Sequence, residues 1–486
     1  MGLALIGLIV AGFGMLAVLR SAPAALMVLC SAGLLQAASA MAFGSANITP
    51  GHMSLLFFLM AMAIRPDALK YGVLSLYPIR PGLILAALSA WALASGYLMP
   101  RLFAGEFLVY PMNSIGWVVR ARPLHPDGAN FNQSIYFLSG LLIFLSVSSM
   151  VRSNSMMKRA GTAMLIAIGV NVAIAILDSA TFALGMTSLL DFIRNADYAQ
   201  NYMHKFLGFK RITGSFPEAS AFTTTTVGLF AFTFRLWRAG VYSQITGLLS
   251  LFTLFAIVFS FSSTGYVALI VYLSFSYASV MLGAERRGGV SVAAFANQSI
   301  FISMGPLLAL AAAIALAINP SILTPITQTI DQSITAKLQT SSGIERSSWN
   351  MAGLGVFLET YGLGAGTGSV RTSSFVVGVL ANLGIVGATL FAWFFWNLFF
   401  TRPERSAPMA DQNARHYAAA ARGGCFAILT ASCISGASID LGIHFYVMAG
   451  MAMPALFYRR PAGAPASRHA PPPDRTGVNA PPVPAS

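Results

Sequence analysis

The sequence predicts an all-α, polytopic integral membrane protein with about 12–13 transmembrane helices. Of its 486 residues, 56% are hydrophobic and only 9% are charged, against about 25% charged residues in ordinary soluble domains. The apolar residues form successive runs close to the ~20 residues that a helix needs to cross a bilayer. Most Lys and Arg residues lie in short segments between these runs, as in cytoplasmic loops. Because a soluble fold cannot bury so much apolar surface, soluble classes are excluded.

Thirteen apolar runs are interpreted as helices, the third of them short. The first run lacks a charged start and is followed directly by a second apolar run, so we predict a retained helix rather than a cleaved signal peptide. The expected spans are 2–19, 22–43, 51–65, 82–99, 132–150, 161–183, 215–235, 241–261, 264–284, 297–319, 372–400, 420–436 and 442–458.

The distribution of Lys and Arg predicts an amino terminus outside the cytoplasm and a carboxyl terminus inside it. Three outer segments are too long to be turns, and they contain further arginines. Long loops can be exported regardless of charge, but arginines near helix ends also suit an anionic ligand, because guanidinium groups match phosphate and carboxylate oxygens.

The chain is expected to divide into four regions. The first, at 1–204, contains the N-terminal helices and outer loops near 100–131 and 184–204, the second of which extends to 214. The others are a core at 205–400 with an outer loop at 320–371, C-terminal helices at 401–460, and a disordered cytoplasmic tail at 461–486.

The charge and the cysteines exclude two further classes. A net charge of +14 would suit a nucleic-acid-binding protein, but the cations lie in short loops between apolar runs, so no nucleic-acid partner is expected. The three cysteines lie in apolar runs and the histidines are isolated, without the spacing of metal ligands. The sequence therefore predicts no metal site and no cofactor.

The first motif with functional chemistry precedes the middle of the chain. Lys210 and Arg211 are followed by a Gly-Ser-Phe-Pro turn and then by Glu218, immediately before an apolar run. Ionisable groups at the mouth of a membrane helix are costly and are therefore functional candidates. In one interpretation, Glu218 is a helix-start acid that Arg211 neutralises. In the other, Arg211 binds a diphosphate, and Glu218 is a base or an orienting acid.

The second motif lies in and after the third outer loop. It comprises Ser-Gly-Ile-Glu-Arg346-Ser-Ser-Trp349, a glycine run from Tyr361 to Ser369, Arg371, and a Gly-Ile-Val-Gly turn ending at Gly387. Backbone N–H groups of the glycine run would suit phosphate oxygens; a re-entrant loop is the alternative. In a purely structural interpretation, Arg346 caps a helix or extends its charged end to the membrane interface. Trp349 and Tyr361 are then aromatic anchors at that interface.

Several isolated polar residues have both structural and functional interpretations. The segment at 122–133 contains Asn130 and Asn132, which suit sugar hydroxyls or a plain helix cap. Asp178 lies inside an apolar run and is expected to pair with an outer arginine or to stabilise a helix contact. Asp440 and His444 flank the last outer turn, where they either line a site or serve as a turn cap and an interfacial histidine.

The order of these motifs resembles a known family. Arg-x-x-Gly-x-Phe-x-Glu at 211–218 is followed by Ser-x-x-Gly-Tyr at 262–266, an outer loop with an Arg and then a Trp, Gly-x-Gly-x-Gly-Ser at 364–369, a Ser-rich helix start, and Gly-Ile-x-Gly at 384–387. Over residues 205–400 this pattern is similar to the superfamily of Wzy-type polysaccharide polymerases and O-antigen ligases of bacterial inner membranes. The N-terminal helices agree only in hydropathy.

The resemblance implies a GT-C-like membrane glycosyltransferase. Such enzymes transfer a glycan from undecaprenyl diphosphate to an acceptor sugar at the periplasmic face of the bacterial inner membrane, without a metal. By motif position, Arg211, Arg346 and Arg371 would serve the diphosphate, with Glu218 as the first candidate base. The residues expected to bind substrate are Lys210, Trp349, Tyr361, Ser373, Ser374, Asn130 and Asn132.

A polysaccharide polymerase is the expected member of this superfamily. It would act in exopolysaccharide or O-antigen synthesis, together with a flippase and a chain-length regulator. The ligase branch, which uses a lipid A-core acceptor, has a histidine after the glycines, whereas the segment from Val370 to Phe375 has none. A membrane transporter or glycan flippase is the alternative from another class, but a transporter usually carries ionisable groups near the midplane rather than at one face.

Overall fold

The computed structural model describes residues 2–43, 46–65, 81–112, 119–196, 200–206, 208–282, 291–318, 341–401 and 412–457. This part of the chain is mostly helical and contains fourteen α-helices. In chain order they are α1 Leu5–Arg20, α2 Ala22–Ala32, α3 Pro50–Ala63, α4 Pro81–Leu102, α5 Gly128–Met150, α6 Asn154–Ala183, α7 Ala219–Arg238, α8 Ser243–Phe259, α9 Ser263–Met281, α10 Val292–Ile318, α11 Ser341–Glu359, α12 Phe375–Phe400, α13 Gln412–Ser435 and α14 Ile443–Phe457.

Short antiparallel sheets lie in the connecting segments. Three strands form one sheet in the order β1-β2-β3, and two hairpins pair β4 with β5 and β6 with β7. The strands are β1 Gly2–Leu3, β2 Met41–Phe43, β3 Ala46–Ile48, β4 Leu108–Val109, β5 Arg122–Pro123, β6 Lys205–Phe206 and β7 Phe209–Lys210. A 3-10 helix, Thr187–Ile193, follows α6.

The helical character predicted from the sequence is confirmed, and the long apolar helices are compatible with a membrane protein. Within the described ranges, six helices are long and apolar enough to cross a bilayer, namely α4, α5, α6, α9, α12 and α13. Shorter apolar helices include α1, α2, α3 and α8. The total of 12–13 spans stays a prediction. The expected tail at 461–486 and residues 320–340 of the expected outer loop lie outside the described residues.

Several element boundaries differ from the predicted ones; for example, α6 and α13 begin seven and eight residues earlier than expected, at Asn154 and Gln412. The expected helix at 22–43 ends at Ala32, because the following backbone forms other contacts; for example, Ala37 N donates to Ser215 O at 2.8 Å. The expected outer loop at 320–371 contains helix α11, whose polar first half interrupts the apolar pattern. The helix expected at 215–235 begins at Ala219, so Glu218 is its N-cap residue and precedes the first turn.

Helix α7 lies at the centre of the bundle and is buried on most sides. It packs on α8, α9 and α13, and its apolar residues Leu229, Phe230 and Phe232 are buried in two clusters of the core. Thr223 and Thr226 on the same helix are fully buried, and their hydroxyls bond to Ser262 and Asn171. Because α7 is held on so many sides, the segment before it is anchored to the core.

Helix α12 is broken at Gly384, and residues 361–370, called here the glycine loop, pack into the break. Gly384 has φ 64° and ψ −162°. The carbonyls freed by the break are bonded elsewhere: Ala381 O accepts from Ala365 N at 2.8 Å and Asn382 O from Gly366 N at 2.9 Å. In addition, Trp91 Nε1 donates to Leu383 O at 2.8 Å. Non-helical backbone at membrane depth is tolerated where protein groups satisfy it in this way.

Replacing Gly384 by alanine is expected to destabilise the fold by about 1–3 kcal/mol. A Cβ at this position would lie 2.3 Å from the carbonyl oxygens of Gly362 and Leu363, and the positive φ disfavours any side chain. Gly355→Ala in α11 is the control, because a Cβ there meets nothing within 4 Å. Thermal unfolding of both variants in detergent provides the measurement. Equal melting temperatures would contradict the packing described here.

Candidate functional site: a buried cationic cluster

Segments that are far apart in sequence meet at one end of the bundle, where α7 and α12 begin and α8 and α13 end. Ile212 N donates to Phe259 O at 3.2 Å, which joins the segment before α7 to the end of α8. Ser374 Oγ donates to Cys433 O at 2.9 Å, which joins the start of α12 to the end of α13. We call this the cluster end. It brings together Arg211, Arg346, Arg371, Glu218 and Glu345, called here the cationic cluster.

Arg211 is fixed at the wall of the cluster by its backbone and its side chain. Its N–H donates to His204 O at 3.1 Å, and its Nε donates to Ser260 O at 3.0 Å. Burial lowers the pKa of its guanidinium; Glu218 opposes that shift and the like charge of Arg346 adds to it. Both groups therefore act on Arg211 electrostatically, although Arg346 is far from Arg211 in the sequence.

Arg371 follows the glycine loop and stacks on an aromatic ring. Its backbone N–H donates to Tyr110 O at 2.7 Å, and its guanidinium lies 4.6 Å from the ring centroid of Trp349. Burial lowers the pKa of Arg371, while Glu218 and Glu345 oppose the shift. Among the described residues, neither Arg371 Nε nor Trp349 Nε1 has a hydrogen-bond partner, although both atoms are buried. These two N–H groups are available to an acceptor from outside the chain.

Arg346 completes the set of cations from the start of α11. Its Nη1 donates to Ser435 Oγ at 3.2 Å. Its charge lowers the pKa of both Arg211 and Arg371. Like charges that repel one another in a half-buried site favour the binding of an anion. The three arginines outnumber Glu218 and Glu345 by one, so the cluster keeps a net positive charge.

Glu218 acts on the cluster without forming an ion pair. Its backbone is extended, with φ −152° and ψ 163°, and its side chain does not cap α7. Its Oε1 accepts a hydrogen bond from Ser220 Oγ. No ion pair joins Glu218 to a cation among the residues that the structure describes. The direct pairing that one interpretation of the sequence expected is therefore wrong, because Arg211 points its Nε at Ser260.

Lys210 lies next to Arg211 in sequence but serves a different group. Its ammonium pairs with Asp178, and the two side chains are 5% and 0% exposed. Arg194 pairs with the same carboxylate, and Thr213 N and Gly214 N donate to its second oxygen at 3.0 and 3.1 Å. The expected pairing of Asp178 with an arginine of the segment 184–214 is confirmed, whereas the outer location of that segment stays a prediction. Lys210 is engaged in this buried group, and its assignment to substrate binding stays a prediction.

The glycine loop does not expose its backbone N–H groups as a phosphate nest. The N–H of Gly364 donates to Thr360 Oγ1, and those of Ala365 and Gly366 donate to α12 carbonyls. Val370 N donates to Asn382 Oδ1 at 3.0 Å. The nest interpretation is therefore wrong, because the broken helix uses these donors. The alternative interpretation, a re-entrant loop, stays a prediction.

The other predicted substrate-binding residues fall into two groups. Ser373 and Ser374 lie beside Arg371, where Ser373 N is bonded to Asn350 Oδ1 at 2.8 Å. Asn130 is buried, and its amide donates to Thr367 O at 2.8 Å and to Ser369 Oγ at 2.9 Å. Its side chain therefore holds the glycine loop, and its assignment to substrate binding stays a prediction.

Two predicted residues lie away from the arginines or at their margin. Tyr361 is 90% exposed beyond the end of α11. It is separated from Arg346 by roughly 20 Å along the helix axis. It therefore does not join the cluster. Asn132 is half-buried in the first turns of α5.

Sequence reasoning missed two contributors to the cluster. Glu345, which precedes Arg346, acts on Arg371, and Ser435 at the end of α13 binds Arg346. The adjacent Glu345 and Arg346 in a largely apolar chain were a signal for the first. Nothing in the sequence indicated that Ser435 would bind Arg346, because a serine before a glycine is common at the end of a helix.

An apolar groove of about 400 Å³ begins beside Arg211. It runs between α6 and α8, and Ile212 and Phe259 form its wall next to the cluster. The remaining lining residues are Val172, Ala175, Ile176, Ser179, Ala180, Phe252, Phe255 and Ala256. An apolar groove that adjoins a half-buried cation matches an amphiphile with an anionic head.

Comparisons with known proteins do not assign this chain to a family. No protein-family model matches it, and no curated protein sequence matches it.

Proposed function

We propose that the protein is a membrane glycosyltransferase, a Wzy-like polysaccharide polymerase that transfers a glycan from undecaprenyl diphosphate to the acceptor sugar of a lipid-linked repeat unit. The observation that carries the proposal is the convergence of Arg211, Arg346 and Arg371 on one electrostatically coupled cluster. The proposed setting is the periplasmic face of a bacterial inner membrane, in exopolysaccharide or O-antigen synthesis.

The chemistry of the cluster supports a diphosphate ligand. Arginine forks match phosphate oxygens, and half-buried cations that outnumber the neighbouring acids favour an added anion. Arg371 Nε and Trp349 Nε1, which have no partner within the described ranges, supply two desolvated donors. The groove beside Arg211 would hold part of the polyprenyl chain, so that head and tail of one lipid are accommodated together.

The proposed reaction forms a glycosidic bond and releases the lipid diphosphate. The acceptor hydroxyl oxygen attacks the anomeric carbon of the donor glycan, and the bond from that carbon to the diphosphate oxygen breaks. The electron pair stays with the diphosphate, where the three arginines stabilise the growing negative charge. Fixed cations at a site poor in water are effective at this step, because they need no reorganisation.

The orientation is supported by the distribution of charge between the two ends. Arg235 and Arg238 lie in the last turn of α7, at the end opposite the cluster, while Arg20 ends α1 and Arg65 follows α3. These cations fit cytoplasmic loops. The cluster would then face the periplasm.

The ligase and transporter alternatives have weaker support. An O-antigen ligase would need a different base, since the segment after the glycines contains no histidine. A transporter usually has ionisable groups near the midplane. Here the three arginines of the cationic cluster lie together at one end, and Asp178 is neutralised by Arg194 and Lys210.

The decisive experiment supplies purified protein in liposomes with a synthetic undecaprenyl-diphosphate repeat unit. Lipid-linked oligomers of increasing length are the expected product. Transfer only to a lipid A-core acceptor would identify a ligase. Movement of the lipid between leaflets without any glycan transfer would refute the enzymatic proposal.

A further inference from the structure

The turn between α13 and α14 lies against the segment that carries Arg371. A Cβ built on Gly436 would lie 3.3 Å from Phe375 N, and one built on Gly378 would lie 3.2 Å from Ile439 Cγ2. Arg346 reaches the start of the same turn through its bond to Ser435. Asp440, which follows Ile439, therefore lies in a turn that packs against the start of α12, just after Arg371.

Asp440 is held in place by polar groups while one of its carboxylate oxygens remains unbonded. Its backbone N–H donates to Ser438 Oγ at 3.0 Å, and Ser438 Oγ donates to Gln133 Oε1 at 2.8 Å. The residue is half-buried, whereas its Oδ1 is buried and has no hydrogen-bond partner among the described residues. A buried acceptor without a donor is costly, which makes it a candidate to receive a hydroxyl from a ligand.

The surroundings of Asp440 differ from those of the other buried acid, Asp178. Two cations neutralise Asp178. The groups that face Asp440 are Tyr446 on α14 and Tyr136 on α5, and no Lys or Arg forms an ion pair with it in the described part of the chain. His52 on α3 stacks on Tyr136 with the ring centroids 4.4 Å apart.

Burial without a counter-ion has a direct effect on proton affinity. It raises the pKa of Asp440 to about 7, while the backbone of Gly442 and the hydroxyl of Tyr446 oppose the rise. A carboxylate is an effective general base when its pKa lies near the working pH. Glu218, in contrast, lies among arginines and accepts a hydrogen bond from Ser220.

We propose that Asp440 accepts the proton of the acceptor hydroxyl, and that Glu218 is a counter-ion of the arginines. This inference rests on the proposed function and assigns its base. The hydroxyl proton passes to Oδ1 of Asp440 as the hydroxyl oxygen bonds to the anomeric carbon. The electron pair of the broken bond leaves with the lipid diphosphate. Gln133 and Tyr136 flank the position where the acceptor sugar would bind.

The test compares Asp440→Asn with Glu218→Gln in the lipid-linked repeat-unit assay. Asp440→Asn is expected to lower kcat by at least about 100-fold. Its binding of undecaprenyl diphosphate, measured by displacement of a fluorescent analogue, should remain at the wild-type value. Glu218→Gln is expected to alter donor binding and to leave the pH dependence intact. Glu106→Gln, an exposed acid after α4, is the control and should behave as wild type.

The pH profile separates a proton acceptor from a structural acid. A base must be ionised, so wild-type turnover should rise with pH through about 7, as Asp440 loses its proton. Asp440→Glu should retain activity with a displaced acidic limb, which a merely structural role would not produce. Turnover by Asp440→Asn with a wild-type pH profile would overturn this assignment alone. Absence of transfer by the wild-type protein would instead overturn the proposed function, and the assignment with it.

Discussion

Replacing Arg371 by lysine is expected to reduce the rate of glycan transfer by about 10²- to 10³-fold. Lysine keeps the positive charge but loses the planar group that lies 4.6 Å from the Trp349 ring centroid. It also loses the buried Nε that has no partner within the described chain. The measurement is the initial rate of oligomer formation from the lipid-linked repeat unit, at saturating and at limiting donor concentration.

Arg101 supplies a matched control for this substitution. Its guanidinium lies 3.9 Å from the ring centroid of Tyr97, so it has the same type of stacking at the same end of the bundle. However, Arg101 is exposed and donates to the carbonyl of Tyr97 in its own helix. Arg101→Lys should leave the rate within a factor of about two, since exposed pairs contribute little. Equal rates for both lysine variants would remove Arg371 from the proposed diphosphate site.

Replacing Asp178 by asparagine is expected to destabilise the protein by about 3–5 kcal/mol, because the substitution leaves two buried cations without their counter-ion. The side chains of Arg194 and Lys210 are 1% and 5% exposed. The substitution also affects the cationic cluster. Asp178 Oδ2 accepts hydrogen bonds from the backbone N–H groups of Thr213 and Gly214, which follow Arg211. Denaturant or thermal unfolding in detergent measures the stability.

The control for this second prediction is Asp191→Asn. Asp191 is an exposed acid in the 3-10 helix after α6, close in sequence to Arg194. Its replacement should shift stability by less than about 0.5 kcal/mol. If both variants unfolded at the same denaturant concentration, the buried group around Asp178 would not have the structural role described here.

The local sequence pattern identified the segments of the site but not their internal contacts. The arginines near helix ends were recognisable because charge is rare in this chain. The role of Asn130 was not recognisable, since its partners Thr367 and Ser369 are more than 230 residues away in sequence. Likewise, the glycine run suggested a phosphate nest, because nothing in its own sequence reveals that Gly384 breaks the neighbouring helix.

The sequence by itself determined the all-α membrane character and the position of the cationic motifs, because hydropathy and charge are local properties of the chain. Only the tertiary structure decided which cations remain available. Lys210 and Arg211 are adjacent in sequence, yet one binds the buried Asp178 and the other joins Arg346 and Arg371. The physical reason is that a charge in a low-dielectric interior takes its partner from whichever helix packs beside it, and packing between distant segments is not encoded in local sequence.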